Sequence, residues 1–151
     1  MPTFTLTDSQ QQALLAAARQ ARGNAYAPYS NYPVGAAVLD EQGRIHAGCN
    51  VENAAYPEGL CAEAAALAAM VLAGGRQARA VLVVGSGDAG NWTTPCGGCR
   101  QKLREFGTPD LLVLSANELA LGPRHTLSQL LPESFGPGHI KVRQGAGQHT
   151  P

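Results

Sequence analysis

Three of the four cysteines fall in two short motifs, and this grouping constrains the fold more than any other feature. Cys61 is followed two positions later by Glu63, and Cys96 and Cys99 form a CxxC motif further along the chain. Each motif follows a loop and opens a helical pattern. Residues three apart lie on one face of a helix, so Cys96 and Cys99 can reach a common point. The fold therefore has to bring two helix N-termini together if the thiols are to meet.

Three thiols and one carboxylate are the groups that an open zinc site requires. Structural zinc sites use four protein ligands, whereas catalytic sites use three and leave the fourth position to water. The positive ends of two helices favour the thiolate form of cysteine. We therefore predict that Cys61, Cys96 and Cys99 bind one Zn²⁺ per subunit. Glu63, one step inside the first helix, is placed to serve as the catalytic proton carrier beside the bound water.

Other interpretations of the cysteines stay open on the residues alone. A CxxC motif can be a redox pair, although a dithiol requires neither Cys61 nor Glu63. It can also be half of a four-cysteine structural site, and Cys49 would then have to be the fourth ligand. Cys49 lies in a predicted strand, where a buried free thiol is the commoner outcome. A zinc-stabilised interaction module without catalysis would have no use for Glu63.

The remaining pattern predicts alternating helices and strands. Helices are predicted at 7–22, 61–73, 96–106 and 126–131, and strands at 34–39, 44–50, 80–84 and 111–114. The run Asp40-Glu41-Gln42-Gly43 predicts a hairpin turn with glycine at the position that tolerates positive φ. Strands that alternate with helices imply a mixed sheet covered on both faces. We expect residues 1–135 to form one domain and the Gly/Pro-rich residues 136–151 to be a mobile tail.

Composition excludes several function classes. The chain has 151 residues, enough for one domain, with 11 basic and 11 acidic residues. No basic patch indicates a nucleic-acid partner, and the apolar stretches are too short to span a membrane. A CxxC motif without a secretory signal favours the cytoplasm. The low charge and the many alanines suggest that some surface is buried between subunits. The four histidines match no motif and are expected at the surface or in loops.

Several segments, in order along the chain, resemble the small cytidine deaminases that have a three-cysteine zinc site and are homotetramers. The matching segments are 27–36, 48–57, 61–63, 95–101 and 130–135. In zinc deaminases the glutamate beside the metal ligand is not itself a ligand. The resemblance implies an α/β fold, a three-layer α-β-α sandwich around a mixed, mostly five-stranded sheet. It also implies a zinc-dependent enzyme of pyrimidine salvage, which hydrolyses cytidine and deoxycytidine to uridine and deoxyuridine with release of ammonia.

The resemblance assigns roles to individual residues. By this resemblance, the water activated by zinc attacks C4 of the cytosine ring. Glu63 accepts the proton of the water and delivers it to ring N3, and then to the departing amino group. The implied contacts of the pyrimidine nucleoside are made by Tyr32 at the base, Asn50 and Glu52 at the ribose, and the backbone of Ala62 and of Pro95 or Cys96 at the pyrimidine edge. The implied contributors to a neighbouring subunit's site are Ala54, Tyr56 and Phe135.

One position departs from the family pattern. The family's metal helix usually continues Cys-Ala-Glu-Arg, and that arginine donates to the thiolates, but this chain has Ala64 there. Without it the bound water should be less acidic, and Arg100 could supply donors around the thiolates instead. A smaller side chain could also open volume for N4-modified cytidines or a nucleoside antibiotic such as blasticidin S. The alternative is a compensated variant of the same enzyme. Polynucleotide substrates are disfavoured by the neutral charge.

Overall fold

The computed structural model of the protein describes residues 3–88 and 90–140. Five strands form one sheet: β1 (Gly35–Asp40), β2 (Ile45–Cys49), β3 (Ala78–Val84), β4 (Leu112–Ala116) and β5 (Leu121–Thr126). The α-helices are α1 (Asp8–Gly23), α2 (Ala62–Leu72), α3 (Gly97–Phe106) and α4 (Leu127–Leu130), and short 3₁₀ helices lie at Tyr56–Glu58 and Pro137–His139.

The sheet is mixed, in the order β2-β1-β3-β4-β5. Strands β3 and β4 are parallel, and the other neighbouring pairs are antiparallel. A parallel pair needs a crossover connection, and here α3 provides it. Because α3 follows the end of β3, its N-terminus lies at the carboxyl end of the parallel strands, where α/β folds commonly place their ligands.

Two apolar cores lie on opposite faces of the sheet because side chains alternate along each strand. In β1, Ala36 and Val38 pack with α2, α3 and α4, whereas Ala37 and Leu39 pack with α1. Strand β3 alternates in the same way and is almost completely buried. Helix α1 therefore forms one outer layer and the other three helices form the second. The predicted three-layer α-β-α sandwich is confirmed.

The predicted elements are confirmed, with ends that shift by one or two residues. The turn after β1 is closed by a hydrogen bond from the Gly43 amide to the Asp40 carbonyl (3.1 Å), and Gly43 has φ of +79°. Strand β5 was not predicted from the residues. It contains Gly122 and Pro123 and lies half exposed at the sheet edge, where proline is tolerated because its missing N–H faces away from the neighbouring strand.

Helix α2 packs very closely on β2, and glycine makes this possible. A Cβ atom on Gly48 would collide with the Ala66 amide nitrogen and would lie 2.7 Å from the Ala62 carbonyl oxygen. The alanines of α2 present little bulk to the sheet, so backbone meets backbone. This contact sets the position of the first turn of α2, which carries Glu63.

One histidine contradicts the expectation that all four lie at the surface or in loops. His46 is on β2 and is 9% exposed, and its Nε2 lies 2.8 Å from Asp40 Oδ2. Asp40 is 1% exposed and also accepts hydrogen bonds from Arg44 and from the Gln42 amide. Burial raises the pKa of Asp40, but these hydrogen bonds, His46 first, outweigh burial and lower the pKa to about 2. The ionised, buried Asp40 side chain therefore stabilises the β1–β2 hairpin through these hydrogen bonds.

The predicted C-terminal tail lies only partly within the described residues. Residues 136–140 form a 3₁₀ turn beside α3, where Arg104 contacts Ser134 and Gln101 donates to the Phe135 carbonyl. Residues 141–151 and the fourth histidine, His149, lie outside the described residues, so the predicted mobility is not tested there. Across the described ranges, every helix falls short of the length and hydropathy of a membrane span.

Candidate metal centre

The three predicted thiols meet where α2 and α3 begin. Cys61 is the N-cap residue of α2, Cys96 is the N-cap residue of α3, and Cys99 lies in the first turn of α3. Their sulfur atoms all lie within 4.8 Å of one another. Both N-caps have extended backbone angles and make no side-chain capping bond, so their sulfur atoms are available to a ligand. The two positive helix ends therefore point at one cluster of sulfur.

The electrostatics of this cluster fit a divalent cation. Burial, then the negative charges of Glu63 and the other two thiols, raises the pKa of Cys99. Burial also raises the pKa of Cys61, whereas at Cys96 hydrogen bonding with Cys99 outweighs burial and lowers the pKa. Three thiolates at this spacing repel one another, and a cation between them removes that repulsion. Soft sulfur ligands in a group of three suit Zn²⁺ with one open position.

Glu63 lies against the thiols but is not one of the cluster. It occupies the first turn of α2, is 4% exposed, and its Oε2 accepts a hydrogen bond from Cys99 Sγ at 3.4 Å. Burial raises the pKa of Glu63, and the hydrogen bonds of its own backbone and of Cys99, with the charge of Lys102, offset part of this rise. A raised pKa makes this carboxylate a better proton acceptor than an exposed glutamate.

A cavity of about 550 Å³ opens beside the cluster, a volume typical of small-molecule sites. It is bounded by the β2–α2 connection on one side and by the β3–α3 loop on the other. Its lining residues are Tyr29, Ser30, Val34, Asn50, Val51, Glu52, Asn53, Tyr56, Gly59, Leu60, Cys61, Ala62, Glu63, Thr93, Thr94 and Cys96. The Glu63 carboxylate and two of the thiols therefore share one concave space.

Asn50 and Glu52 line this cavity, and both also brace the 26–34 loop. The Asn50 side chain accepts from the Val34 amide (2.8 Å) and donates to the Tyr32 carbonyl (2.9 Å). Glu52 Oε1 accepts from the amides of Tyr29 (2.9 Å) and Ser30 (3.1 Å). Hydrogen bonding by Ser30 lowers the pKa of Glu52, so this carboxylate is ionised at neutral pH. Both bonds use Oε1, which leaves Oε2 to face a ligand.

Of the other predicted substrate contacts, Ala62 lines the cavity, whereas Tyr32 and Pro95 are not among its lining residues. The Tyr32 hydroxyl contacts Ser86 and Thr93. Pro95 is buried, and its carbonyl accepts from Arg100 Nε at 2.7 Å. Cys96, the other backbone named for the pyrimidine edge, does line the cavity.

Arg100 uses its guanidinium to hold the backbone that leads into Cys96. Besides Pro95 it contacts the Thr94 hydroxyl (3.1 Å) and the Leu130 carbonyl (2.7 Å). These partners are neutral oxygens rather than the thiols. A role near the thiolates stays a prediction, and the contacts seen here connect α3 with the start of its own loop and with α4.

The residues predicted to reach a neighbouring subunit's site differ in their placement. Tyr56 lines the cavity, is 75% exposed, and packs edge-on against Tyr29 at a ring-centre distance of 5.9 Å. Ala54 and Phe135 are exposed and are not among the cavity's lining residues. Phe135 stacks on His139 at 5.2 Å. A large part of these aromatic surfaces is open in the single chain.

Sequence reasoning missed several cavity residues. The sequence predicts no role in the site for Thr93 and Thr94, and Tyr29, Ser30 and Val34 fall in a segment that resembles the family but have no individual role assigned to them. A signal was present for the threonines, because two hydroxyl side chains come directly before Pro95 and the predicted ligand Cys96. Periodicity could not identify them, since loops have none.

Comparison with known proteins gives one consistent result. The chain matches the family model described as "Cytidine and deoxycytidylate deaminase zinc-binding region" over residues 8–115. A cytidine deaminase of Sporosarcina psychrophila is 41% identical over 124 residues, which cover 82% of this chain and 90% of the relative. One of Mycobacterium tuberculosis is 44% identical over 119 residues, with coverage of 79% and 84%. The crystal structure of cytidine deaminase from Burkholderia pseudomallei has a TM-score of 0.78 at 42% identity, covering 86% and 100%.

Proposed function

This chain belongs to the cytidine and deoxycytidylate deaminase family, and we propose that it hydrolyses cytidine and deoxycytidine to uridine and deoxyuridine plus ammonia. The observation that carries this proposal is the meeting of three thiols and a buried carboxylate at one cavity of nucleoside size. Three protein ligands with one open position are the arrangement of catalytic rather than structural zinc sites.

Cys61, Cys96 and Cys99 would hold the zinc ion, one per subunit. Zinc, when bound, acidifies a water molecule so that it can act as a nucleophile near neutral pH. The protein contributes two helix N-termini, whose partial positive charge favours the thiolate form. Arg100 supports the start of α3 through the Pro95 carbonyl, so it keeps Cys96 and Cys99 in place.

Glu63 moves the protons of the reaction. Its buried carboxylate takes a proton from the attacking water and gives it to ring nitrogen N3, which makes C4 more electrophilic. After the carbon–oxygen bond has formed at C4, Glu63 takes the remaining proton from the added hydroxyl group and gives it to the exocyclic amino nitrogen. Ammonia leaves as the carbon–nitrogen bond breaks, and C4 becomes the carbonyl carbon of uridine. Burial of Glu63 supports this role because it raises the carboxylate pKa towards the working pH.

Asn50 and Glu52 bind the sugar in this proposal. Glu52 is ionised and has Oε2 available, so it can accept from a ribose hydroxyl, and the Asn50 amide can donate to one. An ionised carboxylate at this position would repel a phosphate, which supports free nucleosides over nucleotides or polynucleotides as substrates. The backbone of Ala62 and of Cys96 is the part of the wall that can contact the pyrimidine edge.

We further propose a homotetramer in which Ala54, Tyr56 and Phe135 reach a neighbouring subunit's site. The support is a group of large apolar side chains that the single chain leaves open near the cavity or on nearby surface. This group comprises Tyr26, Tyr29, Val51, Tyr56, Leu60 and Phe135, each 43–75% exposed. Burying them between subunits would remove apolar surface from water and close the site. Sedimentation of the zinc-loaded protein tests this, and a monomer that turns over cytidine at full rate would refute it.

The remaining assignments concern the setting of the enzyme. Thiols within 4.8 Å of one another stay reduced in the cytoplasm, which supports a cytoplasmic location. A reaction that converts one free nucleoside into another fits pyrimidine salvage. We place the domain at residues 1–135 and treat residues 136–151 as an extension that the catalytic site does not require. Full activity of a chain that ends at Phe135 would support this boundary.

The proposed function is tested by ammonia release from cytidine and from deoxycytidine. The zinc-loaded protein should release ammonia, and Glu63→Gln should lower kcat by at least about 100-fold while zinc stays bound, because the amide cannot carry protons. Glu58→Gln, which changes an exposed glutamate of the 3₁₀ helix, is the matched control and should keep full activity. Equal rates for the protein and its Glu63→Gln variant would refute catalysis and indicate a structural zinc module.

No observation favours the alternative substrates suggested by Ala64. The small side chain adjoins a groove lined by Leu67, Val71, Lys102 and Phe106, and it is not among the residues that line the cavity with Glu63. The volume left by a missing arginine therefore opens between α2 and α3 and not at the reacting carbon. Turnover of N4-substituted cytidines faster than cytidine would reverse this conclusion.

A further inference from the structure

The Tyr32 side chain joins two segments that contribute to the cavity wall, its own 26–34 segment and the β3–α3 loop. Its hydroxyl oxygen is 2.9 Å from the Ser86 carbonyl oxygen and 2.5 Å from Thr93 Oγ1. Ser86 and Thr93 are near the two ends of the loop that joins β3 to α3. One hydroxyl group therefore ties both ends of this loop to the 26–34 segment.

The proton count fixes the direction of both hydrogen bonds. A phenol has one proton to donate, and a carbonyl oxygen can only accept. Tyr32 therefore donates to Ser86, and the Thr93 hydroxyl donates to Tyr32. Removal of the phenol oxygen would leave the Ser86 carbonyl and the Thr93 hydroxyl without these partners at the same time.

Neighbouring residues pack tightly around the hydrogen bond between Tyr32 and Thr93. A Cβ atom on Gly85 would overlap Thr93 Oγ1 and would lie 2.8 Å from the Tyr32 hydroxyl, so only glycine leaves room for the pair. Arg22, at the end of α1, donates to the Ser86 hydroxyl (2.7 Å) and to the Pro33 carbonyl (3.2 Å). The two segments are thus also held together by Arg22, which is not among the cavity's lining residues.

The contact connects the sugar side of the cavity with the metal side. Asn50, which lines the cavity, donates to the Tyr32 carbonyl at 2.9 Å. Thr93 also lines the cavity and is three residues before the ligand Cys96. A path of hydrogen bonds therefore runs from Asn50 through the backbone and side chain of Tyr32 to Thr93.

We infer that the Tyr32 hydroxyl is a positioning group that sets the distance between the sugar-side wall, with Asn50, and the metal-side wall, with Thr93. It does so by closing the β3–α3 loop through Ser86 and Thr93. This inference rests on the proposed function, because it gives the hydroxyl an effect on nucleoside binding. The hydroxyl does not touch the reacting atoms, so its loss weakens binding of substrate and transition state alike.

The kinetic test is a double-mutant cycle on the zinc-loaded protein with cytidine as substrate. Tyr32→Phe removes only the hydroxyl, and Thr93→Val removes its hydrogen-bonding partner with little change in shape. Each should raise KM about threefold to fivefold, the effect of one hydrogen bond, with kcat changed less than twofold. The double variant should be no worse than the poorer single variant, because both remove one contact. Thr93→Ser keeps the hydroxyl and should restore the KM.

A second readout does not depend on activity. Hydrogen exchange of amides in the 85–96 segment should be faster in Tyr32→Phe than in the unchanged protein, while exchange in α1 stays the same. Thr5→Val removes a hydroxyl from an exposed threonine that is not among the cavity's lining residues, and it should change neither exchange in the 85–96 segment nor KM. Independent, additive effects on KM, or unchanged exchange in the 85–96 segment, would overturn the inference. Absence of ammonia release from the unchanged protein refutes the proposed function instead, and hydrogen exchange still decides the loop contact.

Discussion

Cysteine is the residue whose position decides most about this protein. Cys49 and Cys96 are both free thiols, but Cys96 belongs to the cluster of three, and Cys49 lies on β2 with its sulfur 3.8 Å from the Asn24 carbonyl. One residue type therefore has two roles in the same chain, a proposed metal ligand and a partly buried strand residue.

A matched pair of variants separates these roles. Cys96→Ser should reduce bound zinc to well below one per subunit and abolish ammonia release, because a hydroxyl is a much poorer ligand than a thiolate. Cys49→Ser should keep one zinc per subunit and its activity. Zinc content by atomic absorption measures both. Normal zinc content in Cys96→Ser would contradict the assigned ligand set.

Asp40 has a lowered pKa, and this makes part of the stability dependent on pH. A carboxyl group whose folded pKa is about 2 and whose ordinary value is 3.8 stabilises the fold above the ordinary value, and the contribution is lost as pH falls towards 2. Asp40→Asn should lower the free energy of unfolding by about 2 kcal/mol at pH 7, since His46 and Arg44 lose an ionised partner.

The pH dependence distinguishes a charge effect from a packing effect. Denaturant unfolding should show the difference between Asp40→Asn and the unchanged protein becoming smaller between pH 4 and pH 2. Zinc release in acid affects both proteins and cancels in the difference. A difference that stays constant across this range would mean that the ionised form of Asp40 does not stabilise the hairpin.

At the scale of elements, the contact between β2 and α2 places Glu63. Gly48→Ala would force the Cβ atom into the backbone of α2 and should lower the free energy of unfolding by about 1–3 kcal/mol. Zinc affinity should fall as well, because Cys61 begins the displaced helix. Isothermal titration with zinc and denaturant unfolding measure the two effects.

Gly23→Ala is the control for this substitution. Gly23 ends α1, and a Cβ atom there would meet nothing within 4 Å. Alanine at this position should be neutral or slightly stabilising. Equal stabilities of Gly48→Ala and Gly23→Ala would show that α2 can move away from the sheet at little cost, and that its position does not depend on glycine.

At the scale of the whole molecule, zinc binding is expected to contribute to the stability of the fold. The proposed ligands come from two helices that are separated in sequence by β3 and a long loop, so a bound zinc ion would link the two sides of the cavity. Binding to the folded state alone stabilises it by about 4 kcal/mol at a free zinc concentration 1,000 times the Kd. The zinc-loaded protein should therefore have a clearly higher Tm than the protein treated with a chelator. The Tm of Cys96→Ser should not respond to the chelator, and a response there would indicate a different zinc site.

The sequence by itself determined the local structure and the chemical groups of the centre. Periodicity and turn residues predicted the four helices and four of the strands, because these depend on neighbours along the chain. The two cysteine motifs predicted the clustered thiols for the same reason: helix geometry fixes which residues share a face, and a zinc site needs few ligand types. Strand β5 was missed since its sequence is polar and contains Gly122 and Pro123, so its pairing depends on β4.

Only the tertiary structure decided which distant residues meet. No local pattern distinguishes His46 from a surface histidine, and its burial follows from its pairing with Val38 and its hydrogen bond with Asp40 on the neighbouring strand. The same holds for Tyr32, whose hydroxyl reaches residues 54 and 61 positions away. The surroundings of Ala64 could also be determined only from the fold. The packing of α2 on α3 places this residue in a different groove from the cavity that contains Glu63. Contacts between segments far apart in sequence arise from packing, and packing leaves no periodic signal in a chain.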